Sequence, residues 1–282
     1  MAMDERGLAE VLQAARKNAG LTQQQLCAKA NLSFSTLTKI ERGAIKAPSI
    51  FTVLTIAQAL NLSLDELLGN TTGNRRTFTK TKSGASFIYF DINGSLVHFF
   101  QQAFTRIAEE HDVPADVVES GFWHYNDEVC RGTISLEEFN TAMDQRLGIK
   151  GFDWRRYYLE AVEPIDALQE LLVWASEQYR VGILSNIMPG FIEAMIGNGT
   201  LPNIAYDAIV DSSQLGTIKP EPKIYEVATS LAGVAAEEIL LIDDTRSNLV
   251  AAEKFGWKVL IFDDYQIDDS IAKLRAALEP AE

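Results

Sequence analysis

Phe87-Ile88-Tyr89-Phe90-Asp91-Ile92-Asn93-Gly94-Ser95-Leu96 decides how the larger part of this 282-residue chain folds. Three aromatic residues and one β-branched residue in a row read as a short strand buried on both faces. The run stops on a carboxylate and a polar turn. Four more short β-like runs follow at Val181–Leu184, Ala208–Val210, Ile239–Ile242 and Val259–Phe262, and helical stretches separate the later ones. That alternation implies a doubly wound, parallel α/β sheet. Ligands of such sheets bind beyond the carboxyl ends of the strands, so the polar residues just past those ends carry the information.

Those residues form a set. Asp91 and Asn93 follow the first run and Ser185-Asn186 the second. Lys219 lies within Gly216–Tyr225 (G-T-I-K-P-E-P-K-I-Y), and Asp243-Asp244-Thr245-Arg246-Ser247-Asn248 follows the fourth run. Any one of them is weak, since any Asp can end a strand; the ordered set is specific.

From Phe87 to about Phe262 the set resembles the haloacid-dehalogenase-like superfamily, in the subgroup with a helical cap between the first two motifs. The resemblance implies a Rossmannoid α/β domain over 87–282 with a cap at about 99–164. It implies Asp91 as the nucleophile that attacks phosphorus and becomes an aspartyl phosphate. Ser185 and Asn186, with nearby backbone N–H groups and a following helix N-terminus, would hold the phosphoryl oxygens. Lys219 would neutralise charge on the transferring group and on Asp91. Asp243 and Asp244, a carboxylate oxygen of Asp91 and the main-chain carbonyl of Asn93 would hold Mg²⁺, which suits an oxygen-rich site.

One position departs from the pattern. Phosphatases of the superfamily usually carry a second Asp two residues after the nucleophile, which protonates the leaving oxygen and then activates water; here it is Asn93. An amide cannot exchange that proton, and general acid–base catalysis contributes roughly 10²–10⁴-fold. Three outcomes follow: turnover of phosphates with acidic leaving groups such as anomeric or acyl phosphates, a slow enzyme acting as a metabolite sensor, or dehalogenase-type hydrolysis. Lys219 and the Asp243-Asp244 pair favour metal-dependent phosphoryl chemistry. Asn93-Gly94 is also a sequence prone to deamidation, which would generate Asp.

Residues 99–164 lack strand alternation and read as helical. Ser135 and Glu138 form a capping-box pattern. Phe122, Trp123, His124 and Tyr125 are candidates for a pocket wall, although such aromatic clusters are more often core. His98, His111 and His124 lack metal-ligand spacing, and Asp263, Asp264, Asp268 and Asp269 read as a solvated loop leading into a helix.

The first seventy residues are all helical in pattern. Leu8, Val11, Leu12 and Ala15 make one apolar face, ended by Gly20. Thr22 caps a helix over Gln23–Ala30, and Ser33 caps another that runs to about Arg42 and is closed by Gly43. Leu26, Ala30, Leu37 and Ile40 would point inward. A fourth helix after Pro48-Ser49 would bury Ile50, Val53, Leu54, Ala57 and Leu60, and a short one starts at Ser63. The string Leu21–Gly43 (L-T-Q-Q-Q-L-C-A-K-A-N-L-S-F-S-T-L-T-K-I-E-R-G) resembles the lambda-repressor/Cro-type (XRE-like) helix-turn-helix family. Asn31 stands where that family usually has Gly, and Asn tolerates positive φ. The resemblance implies binding to double-stranded DNA, with Gln23 on a phosphate and Phe34, Ser35, Thr36 and Lys39 facing bases or flanking phosphates. It also leads to the expectation of a homodimer on paired half-sites.

Thr71–Ser86 (T-T-G-N-R-R-T-F-T-K-T-K-S-G-A-S) has no periodicity and reads as a linker spanning roughly 20–24 Å, whose Arg75, Arg76, Lys80 and Lys82 would hold phosphates or only solubilise it. The formal charge of −14 is uneven: residues 1–70 sum to +1, 71–86 to +4 and the rest to −19. Such asymmetry ties an element that tolerates nucleic acid to one that repels it. No apolar run approaches a membrane span, and two distant cysteines, Cys27 and Cys130, read as reduced thiols. The chain is therefore expected to be a cytoplasmic regulator with no membrane partner, which senses or hydrolyses a small phosphorylated metabolite.

Overall fold

The computed structural model describes residues 5–30, 32–45, 48–60, 62 and 78–280. The expected turn at Asn31, the short helix from Ser63, Arg75 and Arg76 lie outside them, as does the side chain of Ile50. The chain divides into two units, Met1–Arg76 and Thr77–Glu282.

In the first unit, α1 (Glu5–Asn18), α2 (Gln23–Ala30), α3 (Phe34–Glu41) and α4 (Ile50–Ala59) pack around Leu12, Leu26, Leu37, Ile40, Ile56 and Leu60. Short polar side chains start these helices as their sequence implies. Ser33 Oγ accepts from Thr36 N, Ser49 Oγ from Thr52 N, and Thr22 Oγ1 from Gln25 N, while Gln25 returns the bond to Thr22 N. Gly20 and Gly43 both have positive φ just past helix ends. One inward residue differs from expectation. Leu54 is exposed and Ile56 is buried, because Val53, Ile56, Ala57 and Leu60 share a tighter i, i+3, i+4, i+7 stripe. A buried ion pair cross-links the unit: Arg16 Nε and Nη2 donate to Glu41 Oε1 and Oε2 at 2.7 and 2.9 Å.

The second unit is a five-stranded parallel sheet in the order β3-β2-β1-β4-β5. Its strands are β1 (Phe87–Phe90), β2 (Arg180–Ser185), β3 (Ala208–Asp211), β4 (Ile239–Asp243) and β5 (Lys258–Ile261). All five runs expected from the sequence are strands, within one residue at most ends. Strand alternation feeds two cores. Ile88, Phe90, Val181, Ile183, Leu240 and Ile242 face one, and Phe87, Tyr89, Leu184, Ile239 and Leu241 face the other. The first core is covered by α9 (Asp166–Gln178), α10 (Phe191–Asn198) and α13 (Ile267–Ala277); the second by α11 (Pro222–Ala232) and α12 (Arg246–Lys254). Gly182 is needed inside β2, since a Cβ there would lie 2.6 Å from Ala208 O and 2.8 Å from the Tyr89 ring.

Between β1 and β2 stands the helical cap: α5 (Gln101–His111), α6 (Ala115–Cys130), α7 (Leu136–Leu147) and α8 (Trp154–Ala161). Its centre is a continuous aromatic cluster of Phe100, Phe104, Phe122, Phe139, Trp154 and Tyr158. Ser135 and Glu138 complete the expected capping box.

The expected linker needs correction at its second half. Residues 78–86 belong to the second unit: Thr79 N donates to Gln178 O, Lys82 N to Glu279 O, and Ser86 N and Oγ to Glu238. Lys80 and Lys82 are ion-paired with Glu238 and Glu279 rather than left free for phosphates. Backbone pairing to the sheet's flanking helices overrides the loop-like composition.

The Arg16–Glu41 pair yields a stability prediction. Burial alone would raise the Glu41 carboxyl, but hydrogen bonds from Arg16 and Gln23 outweigh it and hold the group below its ordinary value. Its stabilisation is therefore present above the ordinary carboxylate range and is lost as pH falls below it. Glu41→Ala leaves Arg16 buried and unpaired, which costs about 3 kcal/mol or more. Differential scanning calorimetry of the full chain should show the first unit's transition lowered or missing and the second unit's unchanged.

Candidate functional site

The register of the sheet assembles the site. β2, β1 and β4 are neighbours with Phe90 paired to both Ile183 and Ile242, so Ser185, Asp91 and Asp243 emerge side by side at one carboxyl edge. Asp91 N still donates to Ile242 O at 3.0 Å, which anchors the carboxylate to the last rung of the ladder.

Lys219 comes from the loop before α11. Its ammonium lies 2.9 Å from Asp91 Oδ1 and 2.6 Å from Asp243 Oδ2, and it is almost wholly buried. Burial alone would pull the ammonium down; Asp243 and Asp91 outweigh that and hold it charged. The Asp91 carboxyl is raised by burial, with Lys219 opposing and Asp243 reinforcing the rise. Ser185 Oγ lies close enough to Asp91 to favour its ionised form, yet it makes no aligned hydrogen bond. Among the described residues, Ser185 Oγ is buried without a hydrogen-bond partner, and Asp91 Oδ1 has only the Lys219 ion pair. Orphaned buried polar atoms are costly unless a ligand completes them.

The two adjacent aspartates do different work. Asp243 is saturated: Oδ1 accepts from Thr245 N and Asn248 Nδ2, and Oδ2 accepts from Lys219 Nζ and Asn248 Nδ2. It positions the lysine. Asp244 has Thr245 Oγ1 near one oxygen, and burial together with Asp91 and Asp243 pushes it up to about 7. One ammonium faces three carboxylates, and one oxygen from each lies within 4.8 Å of the others. A divalent cation fits that excess of hard oxygen donors. Asp91 and Asp244 have the free valence to hold it; Asp243, also expected as a ligand, belongs to the cluster but has both oxygens engaged.

Asn186, expected on the phosphate, instead clamps the lysine's backbone. Its Nδ2 donates to Lys219 O at 2.8 Å and its Oδ1 accepts from Lys219 N at 2.7 Å. Asn93 accepts at Oδ1 from the Tyr158 hydroxyl of the cap at 2.7 Å. A cavity of about 20 Å³ adjoins it, walled by Phe100, Phe122, Trp154 and Phe191 among others. Of the aromatic candidates in the cap, Phe122 reaches this wall, while Trp123 and His124 are exposed and Tyr125 packs at the edge of the core. His111 bonds Tyr157 within the cap, and Asp263, Asp268 and Asp269 serve a turn and a helix start. Arg131, which ends α6, donates twice to Glu221 beside Lys219, and Ser212 Oγ donates to Cys130 O, so the cap is fastened to the catalytic loops.

Three contributors were not assigned a role from the sequence. Asn248 lies five residues after Asp243, in the first turn of α12, within the same polar run. Ser212 and Tyr158 carry no local signal, since each acts across a long sequence separation.

A family model described as a haloacid dehalogenase-like hydrolase matches residues 88–262. The chain belongs to that family. A second model, described as helix-turn-helix, matches residues 12–67. A curated relative, (S)-2-haloacid dehalogenase 4A of Burkholderia cepacia, is 28% identical over 139 residues, which are 49% of this chain and 58% of that protein. A HAD-like family hydrolase structure from Porphyromonas gingivalis superposes with a TM-score of 0.56 at 22% identity, over 68% of this chain and 98% of its own. A HAD family enzyme of Bacteroides thetaiotaomicron in complex with magnesium and inorganic phosphate gives 0.51 at 20% identity, over 63% and 94%. These solved structures support the fold. Among the described residues no helix is long and apolar enough to cross a membrane.

In the helix-turn-helix unit, Phe34, Ser35 and Lys39 are exposed on α3, with Phe34 at 51%. Thr36 is half-buried, its hydroxyl 2.7 Å from Ser33 Oγ, and Gln23 donates to Glu41 Oε2 at 2.8 Å. Gln23 and Thr36 thus already serve internal bonds, leaving Phe34, Ser35 and Lys39 as the outward set.

Gly94 has φ +76°, and a Cβ there would lie 2.4 Å from Asp244 Oδ2. Gly94→Ala should displace that carboxylate and weaken Mg²⁺ binding about 10–100-fold by isothermal titration calorimetry. Unchanged affinity would mean that Asp244 does not hold the ion.

Proposed function

We propose that this protein is a DNA-binding regulator whose hydrolase domain binds Mg²⁺ and a small phosphorylated metabolite and transfers the phosphoryl group to Asp91. The observation that carries this reading is the single buried ammonium of Lys219 between Asp91 and Asp243, with Asp244 as a further uncompensated carboxylate. Bound Mg²⁺ would offset the negative charge shared by the carboxylates and the phosphoryl oxygens. A carboxylate oxygen of Asp91 attacks phosphorus in line with the departing oxygen. Lys219 keeps Asp91 ionised and draws charge from the transferring group, held in place by Asp243 and by the Asn186 clamp. Ser185 Oγ, without a partner inside the protein, donates to a phosphoryl oxygen. Asn93 can donate a hydrogen bond to the leaving group but no proton, which suits acidic leaving groups such as acyl or anomeric phosphates. The magnesium and phosphate bound by the Bacteroides enzyme of the same fold support this choice.

Dehalogenation is the second reading. A curated relative bears that name, and a halide departs without a proton, so Asn93 is no obstacle to it. A 2-haloacid also brings a carboxylate, and no cationic side chain lines the cavity beside Asn93. That carboxylate would stay in the site through the covalent ester, where burying it unpaired is costly, whereas the carboxylate released from an acyl phosphate departs to water.

Assays with a panel of phosphate esters and acyl phosphates should give Mg²⁺-dependent phosphoryl transfer that EDTA abolishes and Asp91→Asn lowers about 10³-fold or more. Halide release from 2-haloacids that survives EDTA would replace this reading with the second.

For the first unit, fluorescence anisotropy on a random duplex should show affinity falling steeply with salt. Lys39→Ala should lower the logarithmic salt slope by about 0.9, one phosphate contact. A slope near zero would point to protein contacts instead.

A further inference from the structure

Resting on the phosphoryl-transfer reading, we propose that the phosphoryl group stays on Asp91. The chain is a phosphoryl acceptor for small acyl phosphates, and its phosphorylated form is the product of the reaction rather than an intermediate of hydrolysis.

The two half-reactions make different demands. In the first, an Asp91 carboxylate oxygen bonds to phosphorus and the bond between phosphorus and the acyl oxygen breaks. The electron pair leaves on the carboxylate, which departs as a stable anion and needs no proton. The groups assembled around Asp91 suffice for that step. In the second, a water oxygen must bond to phosphorus while the Asp91 oxygen–phosphorus bond breaks, restoring Asp91 and releasing orthophosphate. That water must give up a proton, so the step needs a base.

Among the described residues the structure offers none on the cap side. Asn93 cannot take a proton, and its amide oxygen, the one atom that could orient a water, already accepts from the Tyr158 hydroxyl at 2.7 Å. The cavity beside it is walled by aromatic, aliphatic, amide, thiol and phenol groups, with no carboxylate or imidazole. Its phenol and thiol, Tyr158 and Cys130, are already engaged as donors to Asn93 Oδ1 and Asn126 Oδ1. Around the nucleophile, Lys219 is a charged donor and Asp243 has both oxygens saturated. Asp244 abuts the Gly94 backbone within the carboxylate cluster that suits the cation.

Size points the same way. A cavity of about 20 Å³ has room for about one water. The tight space beside Asn93 favours the smallest leaving groups. Small acyl phosphates are the compact donors whose leaving group departs unprotonated.

The test uses the full chain with Mg²⁺ and acetyl phosphate, followed by intact-mass spectrometry and acetate release, on protein whose starting mass shows an intact Asn93 amide. Acetate should appear as a burst of one equivalent per chain. The protein should gain the mass of one phosphoryl group, Asp91→Asn should gain none, and the adduct should persist after the acetyl phosphate is removed. Asn93→Asp should shorten the adduct's half-life by about 10²-fold or more and restore multiple turnover. Steady hydrolysis by the wild type with no adduct would overturn the acceptor proposal while leaving the phosphoryl-transfer reading intact. An adduct whose lifetime Asn93→Asp does not change would overturn it as well. Neither adduct nor turnover, with acetyl phosphate and across the phosphate panel, would overturn both.

Discussion

The second unit is organised around the charge balance at Lys219. An ammonium taken fully out of water is tolerable only where carboxylates surround it, and here two strand ends supply them while a third carboxylate lies alongside. That arrangement requires β2, β1 and β4 to be adjacent and in register, since a slip of one residue would turn Asp91 or Asp243 to the other face. The sheet order and the lysine's position are therefore one constraint. Asn186 and Asn248 complete it, one holding the lysine's main chain and the other the carboxylate that holds its side chain.

What the sequence made legible is what strand periodicity and strand ends encode. Phe87–Phe90 and Ile239–Ile242 read as strands because each is a short apolar run stopped by an aspartate, and both became central strands of a parallel sheet. Asp91, Ser185, Lys219 and Asp243 could be nominated because parallel sheets collect ligands at one edge. Contacts across long separations were not legible. Tyr158 meets Asn93 from 65 residues away, and nothing around W-R-R-Y-Y marks which of the two buried tyrosines would reach it. The clamp made by the Asn186 side chain was illegible for a similar reason. A polar residue after a strand can serve a ligand or a neighbouring loop, and only the fold shows the Lys219 backbone at hydrogen-bonding distance.

In the first unit the legible and illegible parts divide along the same line. Caps at Thr22, Ser33 and Ser49 follow from local chemistry. Arg16 and Glu41 lie 25 residues apart and look like surface charges on their helices, yet they form the unit's buried pair. That pair also draws Gln23 inward, so of the expected contact residues Phe34, Ser35 and Lys39 are the exposed ones. The basic residues of the supposed linker show how composition misleads: Lys80 and Lys82 neutralise Glu238 and Glu279 of the acidic unit.

Asn93 is integrated into its surroundings rather than tolerated by them. An aspartate there would add a fourth carboxylate to a cluster in which one ammonium already faces three, and it would do so against a cavity wall of Phe100, Phe122, Trp154 and Phe191. Desolvation and like charge both disfavour its ionised form. The amide avoids that charge, accepts the phenol's hydrogen through its oxygen and keeps its own N–H donors for the reacting group. Tyr158 has the same dependence in reverse, since a buried phenol needs an acceptor and Asn93 supplies one. The cap's aromatic core and the amide therefore stabilise each other. The absence of a carboxyl at this position goes with how the cap packs onto the site, and Asn93→Asp would add one at the expense of that packing.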